Sequence, residues 1–302
     1  MQTTLHGSAA PRPRTPAFTN AASAEAWDAW FRWRVGEDPR DLTIDSTWER
    51  VARALACSRG AASRAKYDSY RTAFTDWRLL PDADVLRNAG TGQPGWTAGT
   101  PTATLNLAAF VQSPVTPHAV LDEPGLREAG GLACTLLSDA LALADDDSRP
   151  FGTIALMGLG DAIAMLGLRY DSSAACALAD RVGRIVSDSV HEAAPAPTCA
   201  THEIAVALRR QPQLALFANA TSDAADPVTD EYVVRWPGQA NSERCVAALG
   251  PALTLRRERA NAGKALPAID TARTVAPEAR ARMEAALAPW LDSGRRAGKT
   301  PA

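Results

Sequence analysis

Residues 151–157 read Phe-Gly-Thr-Ile-Ala-Leu-Met, and Gly158-Leu-Gly160-Asp161 follows at once. A short, mostly apolar run with β-branched members suits a buried strand, Gly-x-Gly a tight turn, and Asp161 the opening of a helix that runs through Leu168. The chain therefore has to build at least one covered strand into surroundings that otherwise read as helical.

Those surroundings are well marked. Trp27, Trp30, Phe31 and Val35 recur at spacings of three and four, which predicts one aromatic helical stripe facing a core. Asp45 or Ser46 can cap the next helix, Ser46-x-x-Glu49 fits a capping box, and Trp48, Val51, Ala52 and Leu55 share a face. Tyr67, Tyr70, Phe74 and Trp77 mark a third helix that Pro81 should end. Further helices are expected over 122–147, Ser173–Val190, Cys199–Arg210 and Pro277–Ala288, the last with Pro at a favoured first-turn position. Leu214–Phe217 and Tyr232–Trp236 read as strands, and 252–260 as a helix or basic strand. The fold class expected is mainly α with a few β-strands. Residues 1–20, rich in Pro, Thr and Ala, read as a disordered lead, residues 21–87 as an N-terminal helical region, and residues 88–302 as a second region with a basic C-terminal end.

At 302 residues and 46% hydrophobic content the chain can bury a substantial core. A net charge of −2 gives no reason to expect nucleic acid or an anionic membrane as the main partner. Residues 251–302 carry ten Lys or Arg against five Asp or Glu, which reads as a solvated face. Cys57, Cys134, Cys176, Cys199 and Cys245 are odd in number and lack CxxC spacing, so a reducing cytoplasm is expected rather than a disulfide framework or a zinc site. No apolar run resembles a signal peptide or reaches ~18 residues.

The candidate motifs resolve to structural readings. Gly158-Leu-Gly160 lacks the third glycine of a dinucleotide fingerprint, where Ile163 stands. His191-Glu192 and His202-Glu203 lie eleven residues apart with Pro195 and Pro197 between, which forbids a shared helical face of the HExxH kind. The acids at 145–147 and the pair Asp122-Glu123 read as solvated faces, and neither a GxSxG elbow nor a GxxxxGK[ST] loop occurs. The Gly- and Thr-rich stretch 88–110 contains no Cys, His, Asp, Glu, Lys or Arg. No catalytic residue and no metal ligand is assigned on these grounds.

Taken in order, several stretches resemble the large subunit of ribonucleotide reductases, closest to the adenosylcobalamin-dependent class. They are TIDSTWERVARALA (43–56), LPDADVLRNAGT (80–91), TLNLAAFV (104–111), the helix over 126–142, IALMGLGDAIAMLGLRYDS (154–172), RMEAALAPWLD (282–292) and Lys299-Thr300. The third-last of these runs is the most specific, because the family has a strand, a Gly turn and a Leu-Gly-x-x-Tyr-x-Ser helix end in that order. The resemblance implies a partial reductase-like barrel over 88–302. It also marks what is missing. None of the six asparagines begins the family's Asn-x-Cys-x-Glu finger loop, Thr100 stands where the second redox cysteine belongs, and Phe217–Ser222 lacks the Gly turn of the phosphate-binding loop. The resemblance then implies a catalytically degenerate interaction or regulatory module that retains no adenosylcobalamin and pairs with itself or with a full-length reductase subunit. The alternative is an active reductase-related enzyme or a nucleotide-binding protein of deoxyribonucleotide synthesis. Residues 93–99 read as the join across a deletion.

Overall fold

The computed structural model describes residues 20–60, 63–92, 100–144, 151–193, 203–237, 243–247, 250, 254 and 269–292. The fold is mainly α with short strands, as expected. Among the described residues no helix is long and apolar enough to cross a membrane.

The N-terminal part packs α1 (Ala21–Ala26), α2 (Ile44–Cys57), α3 (Arg64–Thr75) and α4 (Ala83–Asn88). Asn20 caps α1, its side chain accepting from the Ser23 N–H. The helix then widens into a π-turn over Trp27–Phe31. The aromatic stripe departs from expectation at its end. Trp27 and Phe31 are buried, but Val35 lies in the short strand β1 (Arg34–Val35), paired with β2 (Asp38–Pro39) through a turn in which Gly36 has φ +60. The cap of α2 is neither Asp45 nor Ser46. Thr43 accepts from the Ser46 N–H at 3.2 Å while Ser46 Oγ accepts from the Thr43 N–H at 3.0 Å, so the capping box starts three residues before Ser46. Helix α3 stops at Thr75, with Trp77 at φ +57, and does not continue to Pro81. Leu79–Pro81 instead forms β3, an edge strand where proline is tolerated.

One four-stranded sheet organises the rest, in the order β3, β4 (Thr102–Asn106), β7 (Phe151–Met157), β8 (Glu203–Ala207). A small pair, β5 (Val111–Gln112) with β6 (Val120–Leu121), leads into α5. Strand β3 is antiparallel to β4, whereas β4, β7 and β8 are parallel. The crossovers are α5 (Glu123–Leu143) and α6 (Leu159–Met165) with α7 (Ser173–Ala193). Helices α5 and α7 pack on each other and on the sheet. The register puts Ala103, Leu105, Gly152, Ile154 and Leu156 on the face toward α5. Gly152 permits that approach, since a Cβ there would lie 3.1 Å from Leu137.

Two expectations after residue 193 are reversed. Of the helix expected over Cys199–Arg210, the described residues 203–210 hold none; residues 203–207 are strand β8, where Ile204 and Val206 contribute β-branched side chains. Leu214–Phe217 is not a strand but the end of α8 (Pro212–Phe217), where Pro212 occupies the first turn. The strand expected at Tyr232–Trp236 is β9 (Glu231–Arg235), paired with β10 (Glu243–Ala247). Helix α9 spans Pro277–Leu287 with Met283 and Leu287 fully buried. The readings for 1–19, 93–99, 145–147 and most of 252–260 fall outside the described residues.

The core is continuous across residue 88. Phe217 of α8 stacks on Phe31 at 4.7 Å and meets Trp77 edge-on at 5.1 Å and Trp48 at 5.7 Å.

Candidate functional site

The second face of the sheet is polar along β4, which is unusual for a strand buried throughout. Thr102, Thr104 and Asn106 alternate along β4, and Thr153 stands beside Thr102 on β7. All four are buried. This face looks onto the segment 209–226. Arg209 donates to Thr102 Oγ1 at 2.9 Å, and Gln211 Nε2 donates to Thr104 Oγ1 at 2.8 Å.

Next to that face lies a cleft of about 390 Å³, walled by Trp30, Phe31 and Leu214 and carrying Asp82, Arg209, Arg210 and Gln211. A second cleft of about 320 Å³ shares Thr100 and Arg209 with it and has Thr153, Ala205 and Ala207 along its floor. Each lies near the lower end of the size range of small-molecule sites. Most of their charge is already engaged. Asp82 caps α4, accepting from the Val85 N–H at 3.0 Å, and also accepts from the Thr102 N–H; burial pushes its carboxyl up to about 6. Arg210 pairs with Asp226 at 2.8 Å. Arg209 has no carboxylate within ion-pair reach among the described residues, so it is the group in the cleft best placed to meet an anion.

Deeper in, Asp161 ties the sheet to the segment after α8. It is the third residue of α6 rather than its opening residue. Its carboxylate is fully buried and accepts from the Thr221 N–H at 2.7 Å, the Ser222 N–H at 2.8 Å, Ser222 Oγ at 3.1 Å and Thr221 Oγ1. Ser222 Oγ accepts in turn from the Asp161 N–H at 3.0 Å. Burial raises the Asp161 carboxyl to about 6 against these hydrogen bonds, which hold it down. Glycines allow the close approach. Gly158 turns at φ +76 beside Asn106, and a Cβ on Gly160 would lie 2.6 Å from the Asp226 carbonyl. Asp223 accepts from the Gln211 N–H at 2.7 Å through Oδ2, while its buried Oδ1 has no hydrogen-bond partner; burial raises it to about 6.

The residues singled out by sequence do not converge. His191 is exposed at the end of α7, its Nδ1 2.7 Å from the Ser187 carbonyl, and Glu192 pairs with Arg127 at 2.9 Å. His202 falls outside the described residues, and Glu203 begins β8. Asp122 caps α5 and pairs with Arg78 at 2.7 Å, while Glu123 pairs with Arg181 at 3.3 Å. Cys57 and Cys245 are exposed on α2 and β10, Cys134 is buried in α5 and Cys176 half-buried in α7. None of these four lines either cleft. Among the described residues no cluster of three His, Cys, Asp or Glu is arranged to hold a metal ion. Sequence reading missed Asp82, Arg209, Gln211 and Asp223 altogether, because no short-range pattern joins them.

A scan of protein-family models finds none that matches this chain, and a search of curated proteins finds no match either.

Proposed function

We propose that this chain is a shortened, catalytically degenerate relative of the ribonucleotide reductase large subunit that acts as a non-catalytic interaction or regulatory module. The observation that carries the proposal is the scatter of its thiols. Radical reduction of a ribose needs a thiyl radical and two further thiols converging on one substrate, and the four described cysteines sit on four different elements away from the clefts. The thiol of Cys134 is moreover pushed up to about 11 by burial, away from its reactive form. The described residues do not fit adenosylcobalamin either, because none of those lining the clefts carries a thiol to receive a radical.

The strand arrangement supports the resemblance. Three sequential parallel strands with both long helices packed on one face are wound in a single direction, the construction of a barrel wall rather than of a doubly wound sheet. Another copy or a full-length reductase subunit would be the partner of such a module.

A nucleotide-binding reading is favoured by one observation, Arg209 in the cleft, which donates to Thr102 but has no carboxylate within ion-pair reach among the described residues. The test is thermal unfolding with and without ribonucleoside di- and triphosphates, followed by purification of the tagged chain alongside the full-length reductase of its own organism. The proposal expects no nucleotide-dependent stabilisation and recovery of the reductase. Stabilisation that Arg209→Ala abolishes would replace it with the nucleotide-binding reading.

A further inference from the structure

Away from the clefts, α3 and α5 line a groove of about 570 Å³. Its floor is apolar, formed by Ala73, Ala129 and Leu132, and the small alanines on both helices keep it open. Its rim is acidic. Asp68 and Asp76 come from the α3 side and Glu128 from α5, and the Arg78–Asp122 pair closes one end. Asp68 is paired with Arg64 at 2.9 Å, but neither Asp76 nor Glu128 has a cation within ion-pair reach among the described residues. We infer that this groove docks a Lys- or Arg-bearing helical segment of a partner protein. The aliphatic stems of such side chains would lie on the alanine and leucine floor while their charged heads reach Asp76 and Glu128. This rests on the reading of the chain as an interaction module and names the chemistry of its partner.

The test is a fluorescence-anisotropy titration of the full chain against a fluorescein-labelled synthetic peptide of about four helical turns, with leucines on one face and lysines on the other. The double variant Asp76→Lys/Glu128→Lys reverses the two unpaired acids. Glu278→Lys/Glu284→Lys makes the same change of net charge on α9, remote from the groove, and circular dichroism confirms that both fold. The expected result is binding weakened about tenfold or more by the groove variant and by less than about twofold by the control. Equal weakening in both would mean diffuse attraction and would overturn the assignment, as would absence of peptide binding. A self-association lost only in the groove variant would make the occupant a second copy, which also overturns it. Deoxynucleotide formation by the chain would end the non-catalytic reading without altering the titration, so the two ideas fail separately.

Discussion

Replacing Asp161 by Ala should be among the most damaging single changes this chain can suffer. Four buried donors, the N–H groups and the hydroxyls of Thr221 and Ser222, would lose their acceptor at once. Each orphaned buried donor costs about 1–3 kcal/mol, and because the two hydroxyls can turn toward other acceptors the sum is about 3–6 kcal/mol. Domains are typically stable by about 5–15 kcal/mol, so the loss is a large share of the whole. Urea unfolding followed by circular dichroism should show the midpoint fall with little change in slope, and the melting temperature should drop by about 6–20 °C. Asp171→Ala provides the contrast, since that carboxylate is exposed and among the described residues pairs with Arg169 alone. It should shift stability by less than about 0.5 kcal/mol. If Asp161→Ala lay within about 1 kcal/mol of the wild type, the claim that this carboxylate ties the segment 219–226 to the sheet would be refuted.

Further outcomes follow from the same structure. Asp223 ionises near 3.8 when unfolded and near 6 when folded, so its contribution is greatest below about pH 4 and declines as pH rises toward 6; Asp223→Asn, which keeps an acceptor for Gln211, should therefore gain stability relative to the wild type across that window, as read by chemical denaturation. Asp139 is buried and meets Lys66 at 2.8 Å and the Tyr70 hydroxyl at 2.8 Å, so Asp139→Ala should cost about 3–5 kcal/mol and Tyr70→Phe clearly less in the same assay. Gly183 lies under the Trp290 ring, where a Cβ would come within 2.7 Å, so Gly183→Val should expel Trp290 from its hydrogen bond to Asp180 and red-shift its fluorescence. Labelling followed by peptide mass spectrometry should find Cys57 and Cys245 modified well before Cys134.

Most of the long helices can be read from sequence because their apolar residues keep a 3.6 period over many turns, as in α2, α5 and α7. Strand β7 is legible because Phe151–Met157 is apolar throughout and Gly158 ends it. Strand β8 is not, since the run Ile204–Ala207 is apolar throughout and has no alternation that would separate it from a helix. Leu214–Phe217 misleads for the same reason, as four consecutive buried apolar residues fit either period and only Pro212 favours the helix. The cleft is hidden more deeply. Trp30, Asp82, Thr102 and Arg209 meet only through tertiary packing, and the partners of Asp161 stand sixty residues along the chain. Such contacts leave no spacing to read. What sequence does show is the scatter of the thiols, and that bears most on function.

The most direct measurement is deoxynucleotide formation by the purified chain supplied with ribonucleotides, dithiothreitol and adenosylcobalamin, run beside a variant with all five cysteines changed to Ser. The account predicts that both proteins stay at the level of the protein-free blank. Turnover by the wild type that disappears in the cysteine-free variant would contradict it.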